Sequence, residues 1–226
     1  SLETGQVVRT FSSPRSSINA VVIDPRNRLA LSGSDDGVVR GWDLRTGRQA
    51  FELKEHRSFV MSVAVTPGGR FAVSGDWLGT LVIWDLTKMR KVRAIKAHRT
   101  RIMAIACTNA KTITGSGDGA VCVWAIPKGK RLFVLRQRAA SCDSIAIVPP
   151  GKLAVAGGDY DPIKIWNVNS GKLAGELQGH TDQIRAVAAS RDGRLVVSAG
   201  DDRTVRVWDV KSRREQENLQ LPQADV

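Results

Sequence analysis

Residues Gly179 to Asp209 read GHTDQIRAVAASRDGRLVVSAGDDRTVRVWD, and this stretch decides the fold. It holds three short runs of strand character: Ile184 to Ala188, a second run closing on Val197-Ser198-Ala199-Gly200, and Thr204 to Trp208. Turns at Asp192-Gly193 and Asp201-Asp202 separate them. β-Branched and small residues bounded by Gly and Asp read as strands joined by tight turns. A helix would instead need apolar residues at a 3.6-residue period over ten or more positions.

Working outward, the same unit recurs. Five of six tryptophans, Trp42, Trp84, Trp124, Trp166 and Trp208, stand at intervals of 42, 40, 42 and 42. Their contexts agree: Gly41-Trp42-Asp43, Ile83-Trp84-Asp85, Val123-Trp124-Ala125, Ile165-Trp166-Asn167 and Val207-Trp208-Asp209. In the second unit the strands are read at Val60 to Val65, Arg70 to Ser74, Thr80 to Trp84 and Arg90 to Ile95. A lone four-stranded sheet cannot bury both its faces, and placing such sheets radially solves that problem. The expected fold is all-β: a β-propeller of five four-stranded antiparallel blades at 13–54, 55–96, 97–137, 138–178 and 179–212. Residues 1–12 copy the segment after Trp42-Asp43 and are read as an outer strand of a preceding or closing blade. Residues 213–226 are read as a polar tail. Two arrangements stay open: a closed five-bladed ring, or part of a seven-bladed one needing about 300 residues. The chain does not begin with Met, so it is expected to be a trimmed piece of something larger.

These units resemble the WD repeat family, with the match covering roughly residues 2 to 210. The resemblance implies a hydrogen-bonded His–Ser/Thr–Asp–Trp tetrad inside each blade. The fifth unit supplies His180, Ser198, Asp202 and Trp208, and the third His98, Thr114, Asp118 and Trp124. The first lacks the His, with Pro14 near its place. In the second, Leu78 stands at the Asp position. The fourth is poorest, with Arg138 near the His position, Ala156 for the Ser and an irregular turn from Gly157 to Pro162, so it is expected to be the least stable. His56, His98 and His180 thus read as structural rather than as metal ligands, and no cofactor or metal is expected.

Enzymatic readings fare badly. No Gly-rich phosphate loop ending in Lys and Ser or Thr is present, and no nucleophile elbow. Asp35-Asp36 and Asp201-Asp202 recur once per blade in the same turn, so turn formation explains them. Three cysteines, Cys107, Cys122 and Cys142, are odd in number and lie among small or apolar neighbours. They read as buried free thiols, which favours a reducing, intracellular compartment, cytoplasmic or nuclear. No apolar run approaches the length of a membrane-spanning helix, so no membrane insertion is expected.

The formal charge is +12, with basic clusters at Lys88 to Arg93, Lys128 to Arg138 and Lys211 to Arg214. Such a field attracts nucleic acid and acidic proteins without defining a site. Around Arg90 and Arg131 the only interleaved aromatic is Phe133, so any nucleic-acid affinity there is expected to be non-specific and salt-sensitive. The main expectation is a non-catalytic scaffold binding proteins or peptides, acidic ones among them, with the remaining blades or another copy needed if the ring is open.

The WD resemblance implies that residues flanking the first buried position of strand one face the partner. Around Val60 and Ile102 these are Phe59, Met61, Arg101 and Met103; Arg99 adds a donor, and Asp143, Gln183 and Arg185 are included from blades four and five. Trp77 is the tryptophan outside the repeat rhythm. It is expected either to join Phe59 on the binding face or to fold inward over the gap left at Leu78.

Overall fold

The structure is a computed structural model that describes residues 3–12, 16–136, 141–159 and 162–221. It contains five four-stranded antiparallel meanders, each in sequence order. The first sheet comprises β1 (Ile18–Ile23), β2 (Leu29–Ser34), β3 (Val38–Asp43) and β4 (Gln49–Lys54). The second comprises β5 (Val60–Val65), β6 (Phe71–Asp76), β7 (Thr80–Asp85) and β8 (Arg90–Lys96). The third is β9 (Ile102–Cys107), β10 (Lys111–Ser116), β11 (Ala120–Ala125) and β12 (Lys130–Arg136). The fourth is β13 (Cys142–Val148), β14 (Leu153–Gly158), β15 (Ile163–Asn167) and β16 (Leu173–Leu177), and the fifth β17 (Ile184–Ala189), β18 (Leu195–Gly200), β19 (Thr204–Asp209) and β20 (Arg214–Gln220). No helix among the described residues is long and apolar enough to cross a membrane.

The core lies between sheets, not within them. Leu31, Val39 and Leu53 of the first sheet pack on Val60, Val63, Val82 and Trp84 of the second. The same seam repeats three times: Val73, Leu81 and Ile83 meet Ile102 and Trp124, Ile113, Val121 and Leu135 meet Ile145 and Trp166, and Val155, Ile163 and Leu177 meet Ile184 and Trp208. Because both faces of a middle sheet are covered, its central strands are buried end to end, as in β6. Fully burying one such aliphatic side chain contributes roughly 1.5–3 kcal/mol. Each repeat tryptophan from Trp84 onward therefore anchors its blade to the one before. The described residues form no sheet before the first one, and against Trp42 packs Phe11, with ring centroids 5.8 Å apart.

One glycine per seam sets how closely the blades approach. A methyl on Gly33 would lie 2.5 Å from Val60 Cγ1; on Gly75 or Gly157 it would lie 2.6 Å from Cγ2 of Ile102 or Ile184, and on Gly115 it would lie 2.5 Å from Cys142 Sγ. The corresponding residue of the fifth sheet is Ala199, which pairs with Ala186 as Gly75 pairs with Ser62.

Among the described residues the first and fifth sheets each carry exposed apolar side chains. Val197 is 39% exposed, whereas its counterparts Val73, Ile113 and Val155 are wholly buried. Leu195 and Leu219 are exposed beside it, and Ile18, Val21 and Ile23 are exposed on the first sheet.

Two expectations about the chain ends change. Residues 213–226 were expected to be a tail, yet Arg214–Gln220 form β20, pairing with β19 from Asp209↔Arg214 to Thr204↔Gln220. An outer strand needs only backbone hydrogen bonds on one edge, so charged residues suit it. Residues 3–12 form no strand. All five sheets already own a fourth strand, and the N-terminal segment docks instead through Phe11 and through Arg9, whose guanidinium donates to the carbonyls of Leu44 (2.9 Å) and Arg45. Pro14 and Arg138, and residues 160–161 of the turn from Gly157 to Pro162, lie outside the described residues.

Candidate binding surface

Hydrogen-bonded chains hold the strand ends that carry the candidate residues. In blade five Trp208 Nε1–H donates to Ser198 Oγ (2.8 Å), Ser198 Oγ meets His180 Nε2 (2.7 Å), and His180 Nδ1 meets Asp202 Oδ2 (2.8 Å). The carboxylate accepts from Nδ1–H, which leaves Nε2 to accept the serine proton. Burial would raise the Asp202 carboxyl. Hydrogen bonds from the Thr181 N–H, Thr204 and His180 outweigh it, and the group lies well below the ordinary carboxylate range.

Blade three is looser. Trp124 and His98 meet Thr114 Oγ1 at 2.9 and 2.7 Å, but His98 Nδ1 stands 3.5 Å from Asp118, which instead accepts from the Arg99 and Ala120 amides. Burial pushes the His98 pKa down, with Asp118 opposing.

Blade two departs from expectation. His56 and Trp84 meet Ser74 Oγ at 2.6 and 2.8 Å, and the carboxylate is Asp76, 3.0 Å from His56 Nδ1. Asp76 closes β6 two residues before Leu78, and it reaches the same ring nitrogen from the strand end. There is no gap to fill, so Leu78 stays half exposed.

Blades one and four lack the histidine chain. Asp36 pairs with Arg40 (2.6 Å), itself buried and also bonded to Glu52. Trp42 still donates to Ser32 (2.8 Å). In blade four Ala156 offers no oxygen, and Trp166 Nε1 is a buried donor with no partner among the described residues.

The first strand of each blade bulges at its second residue. Val60↔Asp76 is followed by Ser62↔Gly75, so Met61 has no partner; Asn19, Met103, Asp143 and Arg185 occupy the same position elsewhere. A bulge re-aims the side chain it leaves unpaired. Sequence reasoning picked four of these five and missed Asn19, which donates to Asp35 (2.7 Å) and to the Val60 carbonyl (3.2 Å). Only an alignment of first-strand registers would have shown it.

At this end of the blades the candidates fall into two groups. Phe59 and Trp77 lie edge to face with centroids 6.3 Å apart, and the Trp77 N–H donates to the Phe59 carbonyl (2.9 Å). They are 47% and 43% exposed, so Trp77 does not fold inward. Arg101 lies over the Trp77 ring, its Cζ 5.0 Å from the centroid, and its Nε–H points at Met103 Sδ (3.1 Å). Trp77, Leu78, Lys96, Arg99, Thr100 and Arg101 line a groove of about 340 Å³. Among the described residues no carboxylate pairs with the side chain of Arg99 or Arg101.

The second group is self-satisfied. Arg185 grips Asp201 with two nitrogens (2.5–2.9 Å) and stands 3.9 Å from Asp143, to which Gln183 donates at 2.5 Å. Its charge is neutralised locally.

Unpaired basic side chains also line the outer strands. β8 is exposed except for Ile95, and among the described residues Lys91 alone of its cations has an acidic partner, Glu55. Arg131 of β12 lies over the Trp124 ring at 6.0 Å. No group of three or more His, Cys, Asp or Glu among the described residues is arranged to hold a metal ion. The three cysteines are free, and burial pushes Cys122 and Cys107 up to about 11 and about 12 and Cys142 higher still.

Compared with known proteins, residues 1–211 match a family model described as nucleolar protein 10-like, N-terminal domain, a β-propeller. No curated protein matches the chain.

Proposed function

Since the chain belongs to the nucleolar protein 10-like N-terminal propeller family, we propose that it is a non-catalytic platform working in a nucleolar ribonucleoprotein setting, with its basic outer strands held against RNA phosphates. The family match across 1–211 carries this reading, and the disposition of charge supports it. The chain carries a net +12, and on the exposed strand β8 Arg90, Arg93 and Lys96 have no acidic partner among the described residues. The propeller fold is that of interaction scaffolds in general, so the RNA role is proposed within a scaffold. WD-type identity of the blades belongs to the same proposal, supported by the Trp–Ser/Thr–His chains of blades two, three and five.

The test is anisotropy titration of labelled single-stranded RNA against salt. Contact with roughly four phosphates predicts a slope of log K on log salt near −3. Paired Arg90→Glu and Arg93→Glu changes should flatten that slope. Absence of binding at about 50 mM salt, where phosphate contacts are strong, would refute the reading.

A further inference from the structure

We propose that Trp77 is a stacking platform for a base of single-stranded RNA, with Arg99, Arg101 and Lys96 holding the adjoining phosphates. This rests on the ribonucleoprotein reading above and names the site and the form of RNA it takes.

Trp77 sits in the turn between β6 and β7 with 43% of its surface open, although every repeat tryptophan is buried. It does not patch a defect, since Asp76 completes the network beneath it. Phe59 holds the ring from one edge, and the Arg101 guanidinium lies over it at 5.0 Å. Such an indole is pre-oriented for a planar ligand. Its neighbours are cations: Arg99 and Arg101 have no carboxylate partner among the described residues, and Lys96 donates to the Leu78 carbonyl across the groove. Lys96 is also the last residue of β8, so the basic outer strand leads directly into the groove. At about 3.3 Å per residue β8 spans roughly 20 Å, with Lys91 and Lys96 on one face of the sheet and Arg90 and Arg93 on the other. Cationic side chains beside an exposed aromatic ring are how proteins hold single strands without reading sequence.

Peptide modes fit less well. The turns beside the indole are already paired, Trp77 N–H to the Phe59 carbonyl and Gly117 N–H to the Arg101 carbonyl, so they offer a peptide no free backbone there. The groove has one aromatic pair and a cationic lining, not the run of apolar pockets an amphipathic helix needs. An acidic motif would use the arginines but leave the indole idle.

The experiment measures anisotropy of a labelled oligouridylate of about 12 nucleotides, an abasic strand of equal length, and poly-glutamate as competitor. Trp77→Ala should weaken oligouridylate binding roughly 5- to 150-fold, while Trp77→Phe loses far less. The salt slope should stay unchanged in Trp77→Ala and fall in Arg99→Ala/Arg101→Ala. The abasic strand should bind the wild type about as weakly as oligouridylate binds Trp77→Ala. Trp77→Leu keeps apolar bulk without an aromatic face, and should match Trp77→Ala if stacking is the cause. Equal binding by Trp77→Leu and wild type would overturn the proposal. So would equal binding of abasic and normal strands, or displacement of RNA by poly-glutamate at equal charge, which would mark an acidic-protein site. If Trp77→Ala leaves affinity intact while the Arg90→Glu/Arg93→Glu pair abolishes it, the stacking site falls and the ribonucleoprotein reading stands. If no RNA binds, both fall.

Discussion

Ala156→Ser tests the energetics of the tryptophan networks in the stabilising direction. In blades one, two, three and five the indole N–H donates to a hydroxyl at 2.8–2.9 Å, from Ser32, Ser74, Thr114 and Ser198. Ala156 holds the same register, pairing with Lys164 as Ser74 pairs with Val82, and Trp166 Nε1 goes unpaired. Leaving a buried donor unsatisfied costs about 1–3 kcal/mol, and a typical made bond contributes about 1 kcal/mol net. The new hydroxyl needs no histidine to hold it, because Ser32 accepts from Trp42 in a blade that has none. Ala156→Ser should therefore stabilise the chain by about 1 kcal/mol. For a chain of this size that raises the thermal midpoint by roughly 2–4 °C. The converse, Ser32→Ala, should lower it by a similar or larger amount by creating in blade one what blade four already has. Midpoints come from circular dichroism melts of the three proteins. An unchanged or lowered midpoint in Ala156→Ser would refute the claim that the orphaned N–H is a cost this structure bears.

Asp202→Ala and Asp76→Ala should each lower the urea midpoint by an amount equivalent to about 1–3 kcal/mol, and Asp159→Ala, in the blade-four turn from Gly157 to Pro162, by less, because Asp202 and Asp76 each hold a buried histidine; equal shifts in all three would contradict this. The Asp202 carboxyl is depressed in the fold, so its contribution is present above the unfolded value near 4 and fades as pH falls through the folded value. The stability gap between wild type and Asp202→Asn should accordingly shrink below about pH 4. His98 is held neutral by burial, so the unfolded chain binds its proton more readily, and stability should fall as pH drops below about 6.5; His98→Gln should blunt that slope in denaturation midpoints. Cys107, Cys122 and Cys142, with thiols pushed up by burial, should resist iodoacetamide in the folded chain and react once it is unfolded, as counted by mass spectrometry.

The blade pattern was readable because its signals are periodic. Trp at a constant interval and Gly at each seam report one packing solution repeated, and the five sheets follow it. Position-by-position matching failed where geometry offers two routes to one contact. Leu78 occupies the slot a carboxylate was expected to fill, yet Asp76 reaches the same histidine nitrogen from the strand end. The last strand was obscured for a different reason. An outer strand with its side chains in water is held by backbone hydrogen bonds, and Arg214 to Gln220 carries little apolar signal. Trp77 and Phe59 stood out as exceptions to the period, but whether they faced inward or outward depended on Asp76. Charge gave the least. Arg185 and Arg101 look alike in sequence, while one is neutralised by Asp201 and the other lies over an indole.

Ala199 bears on how copies of this molecule meet. Four glycines admit the residue that opens the next blade, and the fifth position carries a methyl. Ile18 opens the first blade at the register of Val60, Ile102 and Ile184, and it is exposed. Two copies joining fifth face to first face would press that isoleucine against the methyl. Such head-to-tail contacts do not close unless the rotation allows it, and otherwise they propagate into fibres. At a contact of that kind the methyl of Ala199 would stand where the other seams carry glycine.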